Sequence, residues 1–167
     1  ITELREERFP ELAQTDQKNQ RGEKRLYTTD CHIDTDLELL LPESYVENIT
    51  ERMNLYRELD NLKSQEELDR YRNMLEDRFG PLPKEADDLL KVVNLRRTAM
   101  EVGVEKIILK NNILITFFVS NPDSLFYKSE DFQKIIANVQ QHPNLFRMKQ
   151  EKDKLSLRTG NVGTVDK

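Results

Sequence analysis

Cys31 and His32 are adjacent, and Asp34, Asp36 and Glu38 follow them at alternate positions. A thiol beside an imidazole is the raw material of a nucleophile with its base, and three carboxylates are oxygen ligands for a divalent cation. The geometry of an extended chain defeats both. Neighbouring side chains on a strand point to opposite faces, so the thiol and imidazole diverge. Alternate carboxylates share a face but stand ~7 Å apart, too far to converge on one ion. They read as a solvated strand face. His142 precedes Pro143 at an expected helix end, a capping position. Asp87 and Asp88 fall in the first turn of a helix, where the dipole favours acids. No Ser, Cys or Thr stands in a recognisable relay motif, and the five glycines form no phosphate-cradling loop. A single cysteine excludes an internal disulfide and any multi-cysteine metal site. No catalytic, metal or cofactor site is expected in this segment.

The chemistry that remains is recognition. Glu66, Asp69, Asn73, Glu76 and Asp77 form a polar, largely acidic stripe with Arg70 inside it, suited to a basic partner. The stripe depends on the helical corner that carries it, residues 64–104. Ser64 and Glu67 make a capping-box pattern, and Leu68, Tyr71, Leu75 and Phe79 recur at helical spacing. Gly80 suits the positive-φ position after a helix, Pro81 cannot continue it, and Pro83 suits the first turn of the next. That next helix is predicted to bury Ala86, Leu89, Leu90, Val93 and Met100 and to end near Gly103. A rigid corner fixes the end of the stripe, and a preorganised patch loses less entropy on docking.

The rest of the chain supplies the frame. Residues 1–13 read as the tail of a helix, broken at Pro10, and residues 14–26 as a flexible linker without periodicity. The start at Ile1 inside a helical pattern points to a domain excised from a larger protein. Residues 31–41 alternate as a half-buried strand, with Ile33, Thr35, Leu37, Leu39 and Leu41 inward. Ser44 and Glu47 predict a helix start, with Ile49, Met53, Tyr56, Leu59 and Leu62 along its buried face. A hairpin is expected from 104–109 and 113–119 around Lys110-Asn111-Asn112. A loop at 120–128, a helix capped by Ser129 and facing Phe132, Ile135, Ile136 and Val139 inward, and strands at 145–150 and 154–159 complete the order.

Helices and strands segregate, so the fold class is α+β: a mostly antiparallel sheet with helices packed on one side, preceded by the helix tail and linker. The boundaries are 1–29 for helix end and linker, 30–160 for the domain and 161–167 for a disordered tail. A charged fraction of 34% and a net charge of −5 argue against a dedicated nucleic-acid binder. Residues 103–167 nevertheless carry 10 basic and 7 acidic side chains. They motivate an alternative, an accessory nucleic-acid-binding module in the basic C-terminal half. No stretch approaches a membrane span and no signal peptide is present, so a soluble, cytoplasmic chain is expected.

DRFGPLP at 77–83, with LELLLPESYV at 37–46, ERMNLYREL at 51–59 and VEKIIL at 104–109, resembles the C-terminal regulatory domain of the bacterial transcription-repair coupling factors. The ordered match covers roughly residues 30–160, and ELREERFPEL at 3–12 is similar to the end of the helix that follows their motor. The resemblance implies a parent that is an ATP-dependent DNA translocase acting on stalled RNA polymerase, with ATP and Mg bound by motor domains outside this segment. It implies that this domain is non-catalytic and autoinhibitory. It would clamp an intramolecular excinuclease-B-like module, masking the surface that binds excinuclease A. The family's contact uses acids on the helix entering the DRFG turn, which places Asp77 at the contact. A second family acid corresponds to Met74, with Glu76 or Asp69 as substitutes. Arg78 is expected to pair locally, and Phe79 to pack in the core.

Overall fold

The computed structural model describes residues 26–161. The expected helix end, most of the linker and the final residues lie outside this range. The chain runs β1 (His32–Thr35), α1 (Ile49–Asp60), α2 (Gln65–Phe79), α3 (Lys84–Glu101), β2 (Val104–Lys110) and β3 (Ile113–Phe118). A 3-10 turn (Leu125–Lys128), α4 (Glu130–Gln141), β4 (Phe146–Glu151) and β5 (Lys154–Thr159) follow. The strands form one sheet in the order β1-β2-β3-β5-β4. Among the described residues only the β1–β2 pair is parallel, since three helices intervene; the other pairs are antiparallel. The fold is the expected α+β class.

Two cores form, and α3 joins them. Leu41, Val46, Leu55, Leu59, Leu68, Tyr71, Leu75, Ala86 and Leu90 make a helical core. Cys31, Ala99, Val104, Ile107, Phe118 and Phe126 make a second one between sheet and helices. The N-terminal half of α3 therefore belongs to the corner and its C-terminal half to the sheet. Ala86, Leu90, Val92, Ala99 and the carboxylate-bearing Asp88 are its buried residues; Leu89 and Val93 are half-buried against the helical core and Met100 against the sheet core. Tyr27 reaches the second core, with its ring edge-on to Phe126 and its N–H donating to the Met100 carbonyl at 3.1 Å.

Local chemistry explains most element ends. Asn111 and Asn112 both take positive φ, the requirement of a tight two-residue hairpin, and Asp36 accepts from the Asn111 N–H. Ser129 accepts from the Phe132 N–H and starts α4 as predicted.

Several expectations change. The strand predicted over 31–41 pairs only at His32–Thr35. The Thr35 hydroxyl accepts from the Leu37 N–H, turning the chain out of the ladder. Alternation persists as burial, with Leu37 and Leu39 half-buried and Leu41 buried. The cap of α1 is Asn48, accepting from the Glu51 N–H at 3.0 Å, because Ser44 lies in a turn in which the Tyr45 and Val46 amides bond the Pro42 carbonyl. The buried face of α1 centres on Leu55 and Leu59, leaving Ile49 and Met53 62% and 48% exposed. Pro83 is the N-cap of α3, one residue before its first turn. Finally, the loop at 120–128 contains a 3-10 turn whose Phe126 is fully buried at the centre of an aromatic cluster with Tyr27, Phe118, Tyr127 and Phe132.

Candidate functional site

Helix α2 carries the predicted stripe, and both its ends are fixed. Ser64 accepts from the Glu67 N–H at 3.1 Å, and the Glu67 carboxylate accepts from the Lys63 N–H at 2.6 Å. That backbone bond holds the Glu67 carboxyl below its ordinary pKa. At the other end Gly80 takes φ +88° and donates to the Glu76 carbonyl at 2.9 Å. The Tyr45 hydroxyl bridges the exit, donating towards the Gly80 carbonyl at 2.7 Å and the Leu75 carbonyl at 3.1 Å. Its ring lies 5.6 Å from that of Phe79, which is half-buried against the helical core. Pro81 and Pro83 flank Leu82, which packs on the same core. The inner side of α2 is held by Leu68, Tyr71 and Leu75, and the buried Tyr71 hydroxyl donates to the Leu55 carbonyl of α1 at 2.8 Å.

Each residue along a helix is turned by about 100° from the last. Glu66, Asn73 and Asp77 therefore share one line opposite the Leu68–Tyr71–Leu75 stripe, about 16 Å from end to end at 1.5 Å per residue. All three are exposed. Among the described residues, the Glu66 and Asp77 carboxylates have no ion-pair partner. Arg70 interrupts the line with its Nε directed to the Glu66 carbonyl at 3.3 Å.

Asp69 and Glu76 are also exposed but belong to the flank facing α3. Gln65 donates to Asp69 at 2.8 Å, and Arg72 lies 3.9 Å from Glu76. The same Arg72 pairs with Asp87 of α3 at 2.7 Å, and Lys91 approaches Asp87 at 2.8 Å. Burial works to raise the Asp87 pKa, but hydrogen bonds from Lys91 and Arg72 outweigh it and hold the carboxyl below its ordinary value. On the opposite flank Arg78 pairs with Glu51 of α1, and its guanidinium lies 4.9 Å over the Phe79 ring. Met74 is half-buried on this flank, against the helical core, with its sulfur 3.8 Å from Arg78. The five stripe residues thus divide into an outward line, Glu66–Asn73–Asp77, and a flanking pair, Asp69 and Glu76, engaged within the domain.

Tyr45 was missed by sequence reasoning as a determinant of this site. Its signal was an aromatic just after the Pro42 turn, within LELLLPESYV, with no periodicity to assign it to the corner.

The residues first considered for catalysis do not assemble. Cys31 is buried and His32 exposed, and burial raises the thiol pKa to about 11. Asp34 pairs with Lys110 at 2.7 Å, while Asp36 serves the hairpin. His142 caps α4, with Nδ1 3.1 Å from the Asn138 carbonyl oxygen. Among the described residues, no group of three or more His, Cys, Asp or Glu is placed to hold a metal ion, and no helix is long and apolar enough to cross a membrane.

Fold and surface together describe a small α+β domain whose best-defined polar feature is a helix, fixed at both ends, with an exposed acidic line. The family model described as the TRCF domain matches residues 35–129, more than half of the chain, and the chain belongs to that family. Among similar proteins, the transcription-repair-coupling factor of Borreliella burgdorferi is 30% identical over 105 residues, 63% of this chain and 9% of that protein. The Escherichia coli factor is 34% identical over 77 residues, 44% of this chain and 7% of that protein. The chain thus spans about a tenth of the length of the curated relatives it matches. In fold it is similar to the crystal structure of the C-terminal domain of a transcription-repair coupling factor. That match has a TM-score of 0.61 at 14% identity and covers 82% of this chain and 84% of the other.

Proposed function

We propose that this chain is the non-catalytic, autoinhibitory C-terminal domain of an ATP-dependent DNA translocase acting in transcription-coupled nucleotide excision repair. In the resting protein it clamps the excinuclease-B-like module and masks the surface that binds excinuclease A. Engagement of stalled RNA polymerase releases it. ATP and Mg belong to the motor domains of the parent.

One observation carries the reading: the exposed line Glu66–Asn73–Asp77, its carboxylates without ion pairs among the described residues, on a helix whose exit is fixed by Tyr45 and Gly80. Unpaired surface carboxylates in a fixed frame suit arginines of a facing module, since charge-assisted bonds contribute about 1.5–3 kcal/mol each. A few suffice when both partners share one chain, because effective concentration replaces part of the affinity. Met74 narrows the contact: where the family has an acid, this chain has a half-buried thioether. Asp77 therefore carries more of the latch, with Glu66 extending it along the same helical line.

The test is titration of the separately produced excinuclease-B-like module with this chain at low and high salt. Binding is expected to weaken with Asp77→Arg and with added salt. Equal binding by wild type and Asp77→Arg removes the acidic line as the contact.

A further inference from the structure

The helices cover one face of the sheet, where Ile33, Ile107, Leu114, Leu155 and Leu157 enter or pack on the second core. Side chains alternating with these occupy the other face. The strand register aligns Asp34, Ile108, Ile115, Arg158 and Arg147 across all five strands in one row. The adjacent row reads His32, Lys106, Phe117, Ser156 and Lys149. Neither row contributes a residue to either core. Ile113, Ile115 and Phe117 thus form a half-buried apolar stripe along β3, widened by Ile108 on β2.

The rim of this stripe is cationic. Lys110 and Lys149 are engaged by Asp34 and Glu151. Lys106, Arg147 and Arg158 are exposed and, among the described residues, have no ion pair. The Lys106 ammonium lies 5.9 Å from the centre of the Phe117 ring. Arg147 and Arg158 are directly opposite one another on the antiparallel β4–β5 pair. Like charges at that position destabilise a sheet, so folding alone gives no reason for the pair.

An occupant must therefore offer carboxylates or phosphates to the rim and apolar area to the stripe. Nucleic acid offers phosphates, but single strands are held on aromatic platforms, and this face has one aromatic among three isoleucines. An apolar centre ringed by Arg and Lys is the anatomy of a protein interface. From Ile113 to Phe117 the stripe runs about 14 Å at 3.4 Å per residue, or some two and a half helical turns. We infer that the open sheet face docks an acidic amphipathic helix of a protein partner. Its apolar stripe lies along β3, and its carboxylates lie over Arg147, Arg158 and Lys106. This face is separate from the acidic line of α2, so the two proposals stand or fall independently.

The probe is a fluorescent peptide of about 18 residues, roughly 27 Å as a helix, with leucines at positions i, i+3, i+4 and i+7 and glutamates elsewhere. A scrambled peptide of the same composition and an oligothymidine strand serve as comparisons, all read by anisotropy with the whole chain. The patterned peptide is expected to bind at least about tenfold tighter than the scrambled one, and Arg147→Glu or Ile115→Glu to weaken it by at least about tenfold. Asp77→Arg leaves this binding unchanged. Arg147→Glu also raises Tm, because it turns the opposed arginines into a Glu–Arg pair. Four results overturn the inference: equal binding of patterned and scrambled peptides, peptide binding indifferent to Ile115→Glu and Arg147→Glu, preferential oligothymidine binding lost in those variants, or self-association of the chain abolished by Ile115→Glu.

Discussion

The phenolic oxygen of Tyr45 stands 2.7 Å from the carbonyl oxygen of Gly80 and 3.1 Å from that of Leu75, spanning the point where α2 ends. One hydroxyl thereby ties the turn before α1 to the corner that orients Asp77. Burial first, and then the charge of Glu76, raises the Tyr45 pKa, so the phenol keeps its proton at neutral pH. Tyr45→Phe retains the ring against Phe79 and removes only these bonds. It is expected to cost about 1 kcal/mol and lower Tm by about 2–4 °C, followed by thermal melting. An unchanged Tm means that the hydroxyl does not hold the corner.

Gly80 and Gly103 separate backbone strain from steric conflict. Both have positive φ, +88° and +69°. A Cβ at Gly80 meets nothing within 4 Å, whereas one at Gly103 falls 2.6 Å from atoms of the Phe126 ring. Gly80→Ala should therefore cost about 1–2 kcal/mol from backbone conformation alone. Gly103→Ala should cost more, because the buried Phe126 ring must move as well. Denaturant unfolding of the two variants gives the order directly, and the reverse order contradicts this account.

Acid should loosen the α2–α3 corner through Asp87. Its folded pKa lies below the ordinary 3.8, so it binds fewer protons folded than unfolded near that pH. The contribution is fully present above the unfolded pKa and is lost as pH falls below about 4 through the folded value. Asp87→Asn should be less stable than wild type at neutral pH and show a shallower loss between about pH 5 and 2. Equal acid slopes for the two proteins sink the assignment.

Much of this fold was readable because local chemistry agreed with tertiary packing. The Leu68–Phe79 stripe, the Ser64 cap, the Asn111-Asn112 turn and the Ser129 cap are all short-range signals that the structure keeps. The errors fall where long-range contacts decide. Periodicity placed Tyr56, Leu59 and Leu62 of α1 on the helical core correctly, but it missed the buried Leu55, whose carbonyl accepts from Tyr71 of α2, and wrongly turned Ile49 and Met53 inward. Phe126 lay in an apparent loop because one aromatic in a 3-10 turn has no period to read, though it centres an aromatic cluster. The acidic stripe was visible as a stripe. Its division into an outward line and a flank was not, because Arg72, Gln65 and Asp87 set it from two helices.

That division yields a prediction within the stripe. Glu66→Arg should weaken binding to the excinuclease-B-like module by roughly 10–100-fold, the scale of one lost charge-assisted bond and a new repulsion. Glu76→Arg, on the flank, should weaken it less. Both proteins should melt within a few degrees of wild type, since both side chains are exposed. Calorimetric titration compares them, and a larger loss from Glu76→Arg would move the contact to the α3 flank.

The clamp itself is tested most directly inside the full-length factor, with a photocrosslinking amino acid at position 77. The account predicts crosslinks to the excinuclease-B-like module in the resting protein, lost on addition of excinuclease A or of DNA with nucleotide. Crosslinks from position 77 only to other regions, or a crosslink to that module unchanged by these additions, would contradict it.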